Sequence, residues 1–211
     1  PYTIWAFVGD GCLMEGISHE SASLAGTLGL DRLIVFYDAN QISIDGDIEG
    51  WFREDVKKRF EAYGWSVVDG VDGHDFKEIH HSIDQALAYK GPVLIKCNTR
   101  IGKGIPDWEG LHHCHGQALG EDRYKKTKQH LGITTPFSVP EGLMQRWQKN
   151  IPAHLKKIPK APIEIPDQTD FNAIFTEATK MVNPIATRKA SQWVLERVKH
   201  KGLIGGSADL T

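Results

Sequence analysis

Gly9-Asp10-Gly11 and, further on, Asn40 are the residues whose types and spacing could do chemistry. The apolar run Ile4 to Val8 reads as a buried strand that stops at Gly-Asp-Gly, and a helical pattern opens there and runs to about Leu28. Such a turn leaves free backbone N–H groups at the helix start, which suits a phosphate. The Asp10 carboxylate is then placed for a divalent cation to bridge it to that phosphate. A second strand-like run, Arg32 to Tyr37, ends at Asp38-Ala39-Asn40-Gln41-Ile42. Asp10 and Asn40 thus lie past the C-terminal ends of successive strands, the edge where parallel α/β sheets bind ligands. Two oxygen donors suit a hard ion such as Mg2+, which keeps sites for phosphate and water.

Each candidate also has a plainer reading. Asp10 could be a helix N-cap and Asn40 a turn residue. Glu15 could be a favourable charge in a first helical turn, and Arg188 a solvated cation. His112-His113-Cys114-His115 invites zinc, but neighbouring residues cannot all turn inward on one ion, and zinc sites space their ligands. His19, His74, His80 and His81 read as surface or structural residues.

The elements that must position these residues follow in order. Glu15 to Gly29 is a helix rich in small residues, with Gly29 as C-cap. Asp55 to Tyr63 is a short helix stopped by Gly64, and Trp65 to Val68 a third strand. Asp75 to Tyr89 is a helix capped by Asp75, and Pro92 to Cys97 a fourth strand. The alternation predicts an α/β fold with a doubly wound, mostly parallel sheet. Ile101 to Leu119 is a long loop rich in Gly and His, the kind that is usually functional. A helix follows over Glu121 to Leu131. Residues 132–166 carry six prolines and read as a linker, with one short helix at Gly142 to Lys149. Asp170 to Val182 and Ala186 to Lys199 are helices, and Leu203-Ile204 begins a strand. The expected division is 1–131, a linker at 132–166, and the start of a second domain at 167–211.

Composition narrows the classes. The chain has 211 residues, 40% apolar and 25% charged, as ordinary globular proteins do. A net charge of −2 offers no basic patch for nucleic acid. No apolar run approaches the roughly 20 residues of a membrane span. Three cysteines make no disulfide framework and fit a reducing cytoplasm.

Longer blocks carry a family resemblance. Gly9 to Glu20, Phe36-Tyr37-Asp38, Ile42 to Gly46, Arg59 to Trp65, Asp72 to Asp75 and His115-Gly116 closely resemble transketolases. So do Ala186 to Lys189 and Gly205 to Thr211, while the likeness is weak between about Thr134 and Asn183. A lone Gly-Asp-Gly would be weak, but this ordered set is specific. The resemblance implies a thiamine diphosphate-binding fold, truncated, whose cofactors are thiamine diphosphate and Mg2+, or Ca2+ or another divalent ion. It makes the side chains of Asp10 and Asn40 and the carbonyl of Ile42 the metal ligands. Gly9, Asp10, Gly11, Asn40 and His115 become the cofactor-binding set, with Gly11 leaving room for the diphosphate. His115 becomes the catalytic residue that touches diphosphate and substrate, and Arg188 takes the sugar phosphate. Glu15 is implied near a dimer interface, and Asp209 as an active-site acid. Gln117-Ala118 stands where the family usually has Ala-Pro, and Leu111 where it has a small hydroxyl residue.

The activity so implied is transfer of a two-carbon ketol unit from a ketose phosphate to an aldose phosphate in the pentose phosphate pathway, by a cytoplasmic homodimer. The partners are sugar phosphates, not nucleic acid or membrane. The start at Pro1 without an initiator Met reads as a fragment. The family's catalytic glutamate would lie beyond Thr211 and further contacts before Pro1, so the 211 residues alone are expected to be inactive. Two rivals stand beside this reading: a non-catalytic module that keeps the fold, and another thiamine diphosphate enzyme such as a deoxyxylulose phosphate synthase.

Overall fold

The computed structural model describes residues 2–135, 137–151, 170–180 and 184–198, the side chain of Arg188 excepted. The chain divides into two compact units, Pro1–Ser138 and Val139–Thr211. In the first unit, β1 (Ile4–Gly9) leads directly into α1 (Asp10–Met14) and α2 (Gly16–Thr27). Then come β2 (Leu33–Ala39), a small hairpin of β3 (Ile42–Ser43) and β4 (Gly46–Asp47), α3 (Val56–Ala62), β5 (Ser66–Asp72), α4 (Phe76–Ala88) and β6 (Val93–Asn98). A 3-10 turn at His112–Cys114 and α5 (Glu121–His130) complete it.

Four strands form one parallel sheet in the order β1-β2-β6-β5. Strand alternation splits their side chains between two cores. Val35, Tyr37, Ala39 and Leu94 pack with Leu13, Ala22, Ala25, Val56, Phe60 and Trp65, beneath α1, α2 and α3. Ile34, Val93, Ile95 and Cys97 pack on the opposite face with Val68, Val71, Ala86, Ile79 and Ile83, beneath α4. Helices therefore flank both faces, as the doubly wound pattern predicts.

Three departures from the sequence reading have local causes. The helix expected to run unbroken to Leu28 is interrupted at Glu15, whose backbone is extended (φ −70°, ψ 135°). The Ser18 hydroxyl and the Glu15 N–H both donate to the Cys12 carbonyl, which takes the place of continued helical bonding. The third strand runs on to Asp72 through a bulge between Val68 and Val71. Gly70 supplies the positive φ of 79° there, and the extra residue returns Val71 to the face of Val68. The β3–β4 hairpin carries no hydrophobic alternation long enough to be read.

The end of α2 follows expectation. Gly29 takes φ 57° and its N–H reaches the Gly26 carbonyl, while the Leu30 N–H reaches that of Ala25. These two bonds are a Schellman cap. In the second unit, α6 (Leu143–Asn150) is the one short helix expected after Gly142. It is followed by α7 (Phe171–Ala178) and α8 (Thr187–Arg197), which Glu177 and Arg197 join by a paired ion contact at 2.9 and 3.0 Å. Leu203-Ile204 lies outside the described residues.

Candidate functional site

The parallel register sets Val8 beside Tyr37 and Gly9 beside Asp38. Both strands therefore release their chains at one level, and Asp10 meets the segment after β2. Its side chain is 1% exposed. Oδ1 accepts from the Tyr37 hydroxyl at 2.6 Å. Oδ2 accepts from the backbone N–H groups of Asn40 at 3.1 Å and Gln41 at 2.9 Å. Gln41 turns its N–H this way in a left-handed conformation, φ 65°, uncommon for a residue with a Cβ.

Asp10 is buried, yet no Lys, Arg or His among the described residues forms an ion pair with it. Burial pushes its carboxyl above the usual range, the bonds from Tyr37, Gln41 and Asn40 pull against that, and the charge of Asp38 adds to it. A buried carboxyl of this kind either keeps its proton or meets a cation. Of roughly four acceptor positions on a carboxylate, three are taken, and the open one is on Oδ1. Burial and the hydrogen bond to Asp10 also push the Tyr37 hydroxyl up, so it stays protonated and donates.

Asn40 is oriented by its neighbours. Its Nδ2 donates to Asp38 Oδ2 at 3.2 Å, and its Oδ1 accepts from the Ile42 N–H at 2.9 Å. One acceptor position on Oδ1 is left. Asp38 is steadied in turn by the Thr99 hydroxyl. Gly9 and Gly11 complete the surroundings. A Cβ on either would meet nothing within 4 Å, and neither has a positive φ. Neither packing nor backbone conformation requires glycine at these two positions, and open space lies beside both. The donor set is all oxygen, with two side chains and adjacent backbone, which fits a hard divalent ion that keeps part of its shell for phosphate and water.

The other candidates fall elsewhere. Glu15 is exposed at the N-cap of α2. His115 is exposed and ends the 3-10 turn at His112–Cys114. Glu109 organises the preceding loop, accepting from Gly104 N at 2.9 Å and Lys103 Nζ at 3.0 Å. Among the described residues, no three His, Cys, Asp or Glu side chains are grouped to hold a metal ion. His74 Nε2 accepts from the Arg100 N–H at 2.8 Å, and His19 sits between Arg59 and Tyr63, so both serve structure. Arg188 lies in the first turn of α8, and Asp209 lies outside the described residues.

Sequence reasoning passed over Tyr37 and the Gln41 N–H. The signal for Tyr37 was a polar-tipped aromatic at an inward strand position, which needs a partner for its hydroxyl.

The chain matches the family described as transketolase, thiamine diphosphate binding domain, over residues 2–162. It is 46% identical to a transketolase of Buchnera aphidicola subsp. Baizongia pistaciae, across 98% of this chain and 35% of that one. It is 43% identical to transketolase 2 of Aliivibrio fischeri, with 98% and 35% covered. Among solved structures, a Campylobacter jejuni transketolase superposes with a TM-score of 0.68 at 34% identity, over 94% of this chain and 33% of that one. A Pichia stipitis transketolase in complex with sedoheptulose-7-phosphate gives 0.63 at 33%, over 93% and 32%. The chain spans about a third of the length of the curated relatives it matches. With a match that takes in both strand ends and the loop through His115, the chain belongs to the transketolase thiamine diphosphate-binding domain family.

Proposed function

We propose that this chain supplies the diphosphate- and metal-holding part of a transketolase, which moves a two-carbon ketol unit from a ketose phosphate to an aldose phosphate. The observation that carries the reading is the buried Asp10 carboxylate, which faces no cationic side chain among the described residues and stands beside the open backbone of Gly9 and Gly11. Asp10, Asn40 and the Ile42 carbonyl would hold Mg2+ or a related divalent ion, whose charge would offset that of the cofactor's diphosphate. Gly9 and Gly11 let the backbone approach that diphosphate. When bound, thiamine diphosphate supplies the carbon that accepts and releases the ketol unit. His115 donates to a phosphate oxygen or a sugar hydroxyl, and Arg188 receives the sugar phosphate. Glu15 belongs to the contact between subunits of a homodimer, and Asp209 is an acid of the substrate side. The setting is the cytoplasm, and the pathway is the pentose phosphate pathway. Relatives that bear the name transketolase favour ketol transfer over deoxyxylulose phosphate synthesis.

The test is calorimetric. Thiamine diphosphate is titrated into the complete polypeptide and its Asp10→Ala variant, with and without Mg2+. The variant should lose at least about tenfold of the Mg2+-dependent affinity. Equal affinity in the two proteins rules out Asp10 as a ligand.

A further inference from the structure

We propose that Tyr37 is the positioning residue of the metal site, fixing through its hydroxyl the orientation in which Asp10 Oδ1 meets the cation. The inference rests on the reading of Asp10 as a metal ligand and adds to it the device that makes the ligand rigid.

Tyr37 is 2% exposed, and its ring packs in the core beneath α1, α2 and α3. A phenylalanine would fill the same space, so core packing accounts for the ring and not for the hydroxyl. The hydroxyl meets Asp10 Oδ1 at 2.6 Å, a short bond typical of a hydroxyl on a carboxylate. Oδ2 is already held by the two backbone N–H groups. Those two bonds anchor one oxygen but leave the carboxylate free to pivot about it. Tyr37 supplies the third point. With it in place, Oδ1 retains one acceptor position in a fixed direction.

The consequence differs between ions. Mg2+ demands near-ideal octahedral geometry, while Ca2+ accepts irregular shells with longer bonds. Partners that orient a metal ligand are commonly worth ten- to a hundredfold in metal affinity, as about that loss follows their removal. A rigid Oδ1 therefore favours Mg2+ over Ca2+, and a loosened one narrows the preference.

Mg2+ and Ca2+ are each titrated, at saturating thiamine diphosphate, into the complete polypeptide as wild type, Tyr37→Phe and Asp10→Ala, with thermal unfolding as a check of fold. Tyr37→Phe should weaken Mg2+ by about tenfold or more and Ca2+ by less. Its Mg2+ to Ca2+ affinity ratio should fall. Equal losses for both ions, or no loss, overturn the positioning role while leaving Asp10 as a ligand. If Asp10→Ala keeps both affinities, the site reading itself fails. Should Tyr37→Phe not fold, a crystal structure of the wild type with Mg2+ decides. The Tyr37 hydroxyl within hydrogen-bond distance of the metal-bound Asp10 oxygen supports the proposal, and a metal-bound oxygen without that contact overturns it.

Discussion

A carboxylate buried without a cation works against the fold that buries it. Because the folded chain holds the Asp10 pKa above its ordinary value of 3.8, the folded state keeps a proton that the unfolded state releases. The associated stability is fully present below that value and is lost as pH rises through the folded pKa. The metal-free chain should therefore gain from Asp10→Asn, and the gain should grow as pH rises above 3.8 and level off once the folded pKa is passed. Urea unfolding of both proteins in chelator across that range measures it, and a difference independent of pH would contradict the assignment. Bound Mg2+ should reverse the order, because the carboxylate brings the ion a negative charge that the amide lacks. Asp10 and Asn40 could be found in the sequence because each directly follows the C-terminal end of a strand, where spacing alone sets their neighbourhood. Tyr37 could not, since its value depends on the register that sets it beside Val8. In a sequence it is one more aromatic in an apolar run.

At the scale of elements, the site depends on how closely α2 can lie against the end of α3. A Cβ on Gly26 would stand 1.7 Å from the Tyr63 carbonyl oxygen, and that atom is backbone and cannot swing away. Beside it, Trp65 Nε1 donates to the Ala22 carbonyl at 2.8 Å, and Phe60 packs edge-on to Trp65 at 5.1 Å. Arg59 extends the joint, with Nη1 reaching Glu54 at 2.7 Å and the Leu13 carbonyl at 3.2 Å, the latter in the helix that carries Asp10. Gly26→Ala must separate the two helices, and overpacking of this kind costs about 1–3 kcal/mol. Chemical denaturation should show a lower midpoint with an unchanged slope. A variant as stable as wild type would mean that the joint is slack. Small residues in α2 signalled close packing from sequence, and the cap at Asp75 formed as read, while the cap at Asp55 emerged only in the structure. The break at Glu15 was hidden because the apolar period continues across it. What decides the break is the competition for the Cys12 carbonyl, which composition does not display.

At the scale of the molecule, the first unit was legible because its strands and helices alternate with long, strongly patterned segments. The second unit was less so, with proline-rich sequence and helices whose faces are largely exposed. On the first unit, Trp5 and Phe7 stack on Phe36 at 5.9 and 5.2 Å, with Phe7 77% exposed. The strand order adds a consequence for how the protein comes into being. One of the two interior strands, β6, carries Val93, Leu94 and Ile95 at 1%, 0% and 0% exposure, and it is the last of the four to be synthesised. Strands β2 and β5 both wait for it, because neither pairs with the other. In a growing chain only the β1–β2 pairing can form before Asn98 has emerged, and the insertion of β6 between β2 and β5 is the expected slow step. Chains ended at Lys90 should be cut readily by a protease, whereas chains ended at Ser138 should resist. Protection at the shorter length would show that β1, β2 and their helices fold without waiting.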